Sequence, residues 1–393
     1  MQISVTDIIV ILTVLELLVV SLTFFIFKKS KRTNQLLLSA FLFAEAMYLI
    51  GYLLFSFFNY IQPDGVHFFF IGTSFGFLLG PILYLYTKSF VKDSYHPKRI
   101  DILNLIPFIG YNLIYGFYYY FEPATVKIEM LNSSTVLPLS LGLRINFFMY
   151  LQIIIYLGLC LLLLFNYDKR LKSLYSTIHH LSLDWFKFVI FIFVLVWVID
   201  FIHFLIRNTT ELNTEISGIL ALISFSINFV FINFIIYRGL KQPIHFFKAA
   251  KELPSGKYKL SSFSDEEVNL NSERLQNYMT NDKPYLTTNL TLSELAQRLG
   301  INPLLLLHII KSKIGKTFFD FINSYRIEDA KRILSDPSKR KMTTLEVLYG
   351  VGFDSKIVFK TIFKKFAGVY PQEYKKRYLP YHSHDAAGAK LPN

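Results

Sequence analysis

The sequence predicts an all-α chain: a seven-helix transmembrane bundle followed by a soluble domain of two helix-turn-helix units joined by a long helix. Three observations predict it. Apolar residues make up 53% of the 393 and charged residues only 18%, and the apolar excess lies almost wholly before Arg238. Seven apolar stretches in that part approach the ~20 residues that cross a bilayer core of about 30 Å. Beyond Arg238 the pattern turns polar and helix-periodic, and one order of cap, glycine and cap occurs twice, the glycine nine residues after the first cap each time.

The seven stretches fall near Ile8–Phe27, Gln35–Phe58, Val66–Tyr86, Ile102–Phe121, Phe147–Phe165, Trp185–Leu205 and Ile216–Tyr237. The fourth is interrupted by Pro107, Gly110, Asn112 and Gly116, and the third carries Gly80-Pro81, which kinks it or lets a neighbour approach. The loops alternate in charge. Lys28, Lys29, Lys31 and Arg32 follow the first span, Lys88 to Arg99 lie between the third and fourth, Lys169, Arg170 and Lys172 between the fifth and sixth, and Arg238 and Lys241 follow the seventh. Basic loops stay on the cytoplasmic side. This predicts an outside N-terminus and a cytoplasmic C-terminal part. No positive charge precedes the first span and no small-residue cleavage site follows it, so it reads as a retained anchor rather than a signal peptide.

Ionisable residues inside a span are candidates for function. Glu16 sits mid-span in the first, Glu45 in the second, and Asp200 with His203 toward the outer end of the sixth. They read either as parts of a signal-binding or proton-sensing pocket or as interhelical hydrogen bonds that fix the bundle. The single cysteine, Cys160, lies in an apolar run, which excludes an intramolecular disulfide and a cysteine-based zinc site. No metal and no cofactor is expected.

The residues from Lys241 onward hold 25 Lys and Arg against 15 Asp and Glu, a net of +10 of the chain's +13. Such a balance suits a polyanion. Gly239–Ser264 mixes Lys, Pro, Gly and Ser and reads as a tether; Ser264 with Glu267 then opens a helix to about Met279. Thr291 with Glu294 caps a helix that Gly300 ends, and Asn302-Pro303 opens a second that Gly315 ends. Thr317 to Leu334 forms a longer helix, stopped by Pro337. The pattern then repeats: Thr343 with Glu346, Gly352 in the turn, Ser355 capping Lys356–Ala367, and Gly368 at the end. On that last helix Phe359, Ile362, Phe363 and Phe366 form an apolar face, while Lys356, Lys360 and Lys364 line another. A helix packed on one side and cationic on the other fits a major groove.

With those residues in hand, Leu290 to Arg377 resembles the C-terminal DNA-binding domain of AraC/XylS-type transcription regulators. The tokens are Leu295-Ala296, then Arg326, Ala330 and Leu334 on the joining helix, then Gly352-Phe353, Ser355, Phe359, Phe363-Lys364, Gly368, Pro371 and Tyr374. The preceding stretch resembles the linker of membrane-bound members, in which a multi-span sensor replaces a soluble ligand-binding domain. The resemblance implies base-reading positions at Lys356, Ile357, Lys360 and Thr361 on the second reading helix, and at Leu304, Leu307 and His308 on the first. The apolar run Leu304–Leu307 departs from the polar readers common there. That first unit then reads thymine methyls and shape, contributes backbone contacts, or packs on a partner. Leu348 stands where the family usually has alanine, and Tyr370 replaces a Ser or Thr cap.

The expected domains are residues 1–240, a membrane sensor; 241–288, a linker with one helix; 289–378, the tandem DNA-binding domain; and 379–393, a disordered tail. The expected function is a membrane-tethered, sequence-specific transcription regulator of a bacterial inner membrane. Its partners are double-stranded DNA, the lipid bilayer and an unknown signal ligand; two copies, if they associate as a homodimer, would double the reading helices. The competing reading is a transporter or receptor whose helical tail binds protein. An enzyme is not expected: the sequence holds no HExxH, no phosphate-cradling glycine loop, no GxSxG and no kinase signature.

Overall fold

Long apolar runs dictate the first half. The computed structural model describes residues 3–26, 32–92, 95, 97–133, 135–179, 181–209, 214–240 and 263–379. The expected tether, from residue 241, and the expected disordered tail, from residue 380, lie outside them. Among the described residues there is no β-strand; the only ladder pairing is an isolated antiparallel bridge between Tyr175 and Thr291.

Contacts divide the chain into two units: Met1–Tyr167 with Leu183–Ala250, and Asp168–Ser182 with Lys251–Asn393. The first contains α1 (Val5–Ile26), α2 (Arg32–Ser56), α3 (Gly76–Val91), α4 (Ile106–Tyr115), α5 (Leu139–Leu174, whose end passes into the second unit), α6 (Asp184–Thr209) and α7 (Thr214–Leu240). Among the described residues, six helical stretches are long and apolar enough to cross a membrane: Val5–Ile26, Thr33–Ser56, Asp64–Val91, Arg99–Tyr120, Leu139–Leu174 and Asp184–Ile206. They coincide with the first six expected spans. The seventh expected span also folds as a helix, α7, but its described apolar stretch, Gly218–Phe234, is shorter than the other six.

The third and fourth stretches are composite; the third breaks at Phe69–Phe70 and at Phe75, and Gly80-Pro81 lie inside the unbroken α3. Arg99–Leu105 is a 3₁₀ turn, Pro107 enters α4 in its first turn, where its missing N–H costs nothing, and Gly116–Tyr120 widens to a π turn. At Gly80 a β-carbon would lie 2.9 Å from the Tyr156 side chain, so this glycine admits α5 against α3. Apolar side chains such as Leu12, Leu15, Phe117, Phe188 and Val230 stand exposed on the outside of this unit. In water that surface would be costly; against acyl chains it is not.

The second unit is built from α8 (Asp265–Asn281), α9 (Leu292–Leu299), α10 (Pro303–Ser312), α11 (Phe318–Ser335), α12 (Thr344–Gly350), α13 (Lys356–Ala367) and α14 (Pro371–Tyr378). Their ends are set by local chemistry. Thr291 and Thr343 each accept a hydrogen bond from the N–H three residues on, and Glu294 and Glu346 accept from the Thr N–H in return, closing two capping boxes. Ser264, Asn302, Thr317 and Ser355 cap the helices that follow them. Tyr370 makes no side-chain cap to α14.

Gly352 carries the sharpest backbone demand. Its φ is +89°, and a β-carbon there would lie 2.7 Å from the Leu286 carbonyl oxygen and 2.9 Å from that of Tyr285. Only glycine lets the turn before α13 close onto residues 285–286.

One core joins Phe319, Ile327, Ala330 and Leu334 of α11 to Val347, Leu348, Val351, Phe353, Phe359, Ile362 and Phe363. Leu295, Ala296, Leu306, Ile309, Ile310, Phe318 and Ile322 are likewise buried.

Candidate functional site

The clearest surface lies on α13. Phe359, Ile362 and Phe363 are buried, with ring contacts from Phe359 to Phe353 and to Phe363, so one side of the helix is locked to the core. That fixes which residues face outward. Lys356, Ile357 and Thr361 are exposed, Ile357 to 79%, and Lys360 is half-buried between them. All four expected reading positions on this helix therefore fall on one outward stripe.

Lys356 and Lys360 enter no ion pair among the described residues. By contrast, Lys364 sits 4.5 Å above the Tyr370 ring, and Lys365 is paired to Asp320 at 2.6 Å. The expected face of three lysines thus reduces to two unpaired cations and one lysine engaged with an aromatic ring. An exposed isoleucine between cations offers a methyl contact for thymine beside phosphate-directed charge.

The first reading helix differs. Leu304, Leu307 and His308 are half-buried, and the His308 ring lies 5.9 Å from that of Phe263, just before α8. α8 packs against α10. Part of this helix's presented side is covered by the chain's own preceding segment.

The joining helix α11 holds a buried polar node that its pattern signals but whose role the sequence does not give. Arg326 is fully buried. Its Nε donates to the Tyr285 carbonyl at 2.7 Å and its Nη2 to the Thr287 carbonyl at 2.8 Å; longer contacts of 3.4 Å reach Asn323 Oδ1 and Ser176 Oγ. The guanidinium carbon lies 5.4 Å from the centre of the Phe353 ring. Burial pushes the Arg326 pKa down to about 10, with Asp354 pulling the other way. Asn323, also fully buried, donates to the carbonyls of Ser176 at 3.0 Å and Phe319 at 2.9 Å.

Ser176 lies between α5 and α6, far from this domain in sequence. Its N–H donates to the Leu290 carbonyl at 3.0 Å, and the bridge from Tyr175 to Thr291 extends the pairing. Tyr175, Ser176 and Thr177 are buried in the second unit, and Ile178 packs against its core. The visible sequence signal for the node was a charge on the apolar stripe, since Arg326 stands four residues from both Ile322 and Ala330.

In the first unit three of the four candidate polar residues come together. Glu45, Asp200 and His203 line one cavity of about 570 Å³. Glu16 does not line it; its Oε2 accepts from Asn233 Nδ2 at 3.0 Å. Asn228 Nδ2 donates to Glu45 Oε1 at 2.9 Å, and Ser224 Oγ donates to Asp200 Oδ1 at 2.6 Å. α7 therefore supplies a hydrogen-bond donor to α1, α2 and α6 in turn. No group of three or more His, Cys, Asp or Glu that could hold a metal occurs among the described residues.

The helices, caps and glycine turns of the last hundred residues define a helix-turn-helix domain. Residues 295–377 match the family described as "Helix-turn-helix domain". Over 88 residues the chain is 30% identical to the arabinose operon regulatory protein of Escherichia coli strain K12, covering 22% of this chain and 29% of that protein. Over 113 residues it is 28% identical to an uncharacterized HTH-type transcriptional regulator in the cgkA 5′ region of Pseudoalteromonas carrageenovora, covering 29% of this chain and 65% of that one. Among solved structures, the C-terminal domain of AraT, a response regulator from Geobacillus stearothermophilus, is 29% identical over 29% of this chain and 94% of its own, with a TM-score of 0.25. The chain spans less than a third of the length of the arabinose regulator. The C-terminal segment is an AraC-type helix-turn-helix domain.

Proposed function

We propose that this chain is a membrane-embedded, sequence-specific DNA-binding transcription regulator, in which a signal received by the apolar helices controls the C-terminal domain. The observation that carries the DNA-binding part is the outward stripe of α13. Lys356, Ile357, Lys360 and Thr361 are presented on a helix whose opposite side is locked by Phe359, Ile362 and Phe363. The half-covered α10 then contributes less to sequence reading than α13.

Membrane embedding rests on the six long apolar helices and the lipid-compatible exposed surface, with α7 as the seventh crossing. The alternation of basic loops in the sequence supports an outside N-terminus and a C-terminal domain in the cytoplasm of a bacterial inner membrane. The control route runs through the segment that follows α5, where Ser176 hydrogen-bonds to Arg326 and Asn323. A homodimer would set two copies of α13 on a longer site.

The test uses full-length protein in lipid nanodiscs and duplexes selected from a random pool. Binding to the selected duplex falls steeply with salt, because each phosphate neutralised releases counterion. Lys360→Ala weakens the selected duplex by roughly 5- to 150-fold, the range of about 1–3 kcal/mol for a specific contact. Leu307→Ala weakens it less. No preference for any duplex over heparin at moderate salt, or equal loss for both variants, overturns the reading.

A further inference from the structure

The cavity of the first unit has a chemistry of its own. Its volume, about 570 Å³, is that of a small-molecule site. Two carboxylates, Glu45 and Asp200, line it, together with the rings of Tyr48, Tyr52, Tyr150, Trp197, Phe204 and Phe225; no Lys or Arg among the described residues does. Glu45 is 2% exposed, and only one of its oxygens is satisfied: Oε1 accepts from Asn228, while Oε2 has no hydrogen-bond partner. The Asn228 Oδ1 atom, on the same wall, is also buried without a partner. Two acceptors without a donor thus belong to two hydrogen-bonded residues of one cavity, whose other walls are aromatic and aliphatic side chains with a few polar ones.

A buried acceptor without a donor is costly, and a buried carboxylate without a counter-charge more so. An ammonium or guanidinium group answers both demands. It donates to Glu45 Oε2 and to Asn228 Oδ1, balances the acidic floor, and is attracted by the aromatic faces. An anion meets two carboxylates, and among the described lining residues only the imidazole of His203 can carry a positive charge to offset them. A neutral alcohol supplies one donor but no charge.

We propose that this cavity binds an amphipathic organic cation, its ammonium or guanidinium group seated between Glu45, Asp200 and Asn228 and its apolar part against Tyr52, Tyr150 and Trp197. This rests on the reading of the apolar unit as the part that receives a signal, and names the chemical class of that signal.

The experiment uses full-length protein in nanodiscs of uncharged lipid. The chain has two tryptophans, Trp185 and Trp197, so Trp185→Phe leaves the cavity residue as sole reporter. Phenethylamine, phenethyl alcohol and phenylacetate are titrated at pH 7, with binding read by Trp197 emission and by calorimetry. The amine binds saturably and at least tenfold more tightly than the alcohol; phenylacetate binds more weakly still. Glu45→Gln and Asp200→Asn each weaken the amine at least tenfold and narrow its lead over the alcohol, while leaving a monodisperse, normally melting protein. The wild-type preference alone is decisive if either variant fails to fold.

Equal binding of the amine and the alcohol, tighter binding of phenylacetate, no binding of the amine at millimolar concentration, or full amine affinity in both variants overturns the proposal. Duplex binding by the same preparation reads the functional conclusion separately. Salt-sensitive duplex binding without amine preference sinks only the cavity proposal. Amine preference without duplex binding supports the cavity proposal and sinks the DNA-binding reading.

Discussion

Replacing Arg326 by Met and by Lys separates what the buried guanidinium does. Its two short bonds, 2.7 Å to the Tyr285 carbonyl and 2.8 Å to the Thr287 carbonyl, need donors set apart as a fork provides them. Bonds from a charged donor contribute about 1.5–3 kcal/mol each, or about 3–6 kcal/mol together. Against this stands the cost of burying the charge. Burial has pushed its pKa down to about 10, the mark of that cost. Met removes the bonds and the burial cost together, so the net loss is about 1–3 kcal/mol, chiefly from two carbonyls left without a donor.

Lys keeps a buried charge yet cannot span both carbonyls, so it costs at least as much as Met. The readout is hydrogen exchange of the full chain. Amides of residues 285–290 and of α11 should exchange roughly 5- to 150-fold faster in Arg326→Met, one decade per ~1.4 kcal/mol. Arg326→Lys should be no better protected than Arg326→Met. Protection in Arg326→Lys equal to the native chain would show that charge alone suffices and that the fork argument is wrong.

Three further substitutions probe neighbouring parts. Gly352→Ala combines a left-handed backbone with a β-carbon under 3 Å from two backbone carbonyls, so about 2–4 kcal/mol is lost, read as a lower melting point of the C-terminal unit; unchanged melting would refute it. Ser176→Pro removes the donor to the Leu290 carbonyl and should speed exchange at Leu292–Leu299 and shift duplex affinity, with α13 itself unaltered; no change in either measurement would remove the node from the control route. Glu346 has its pKa lowered, first by the backbone N–H of Thr343 and then by the Thr343 hydroxyl. Its contribution is present above the unfolded carboxylate pKa of about 4.3 and is lost as pH falls through the lower folded value, so Glu346→Gln should flatten the acid limb of the stability curve; an unchanged acid limb would contradict this.

Much of the second unit was legible because its determinants are local. A capping box needs residues three apart, and the boxes at Thr291 and Thr343 stand where that spacing put them. The outward stripe of α13 follows from the buried stripe, since a helix with Phe359, Ile362 and Phe363 inside has Lys356, Ile357 and Thr361 outside. The covered state of α10 was not legible. His308 stands beside Phe263 and α8 packs against α10, and nothing in the run Pro303–Ser312 encodes that. The cavity was half legible: a charge within an apolar run flags Glu16, Glu45 and Asp200 alike. Which of them share a space depends on the face each presents, and Glu16 presents a different one.

Under the control proposed above, the node sets part of the energy that a signal must supply. Ser176 meets Asn323 across 147 residues of sequence, so no local pattern could announce the pairing. Its two well-formed bonds, from its N–H to Leu290 and from Asn323 to its carbonyl, are 3.0 Å each. Neutral bonds of that kind contribute about 0.5–1.5 kcal/mol apiece, so breaking these two costs about 1–3 kcal/mol, beside the burial of Tyr175 and the packing of Ile178. That equals the usual coupling free energy between an effector site and a distant one. Arg326 would keep its bonds to Tyr285 and Thr287 when Ser176 leaves, so α11 would hold its fold while residues 290–291 lose a partner. A ligand that favours one arrangement of α5 and α6 by about 5- to 150-fold offsets those two bonds. A stronger clamp would be beyond its reach, and a weaker one would transmit nothing.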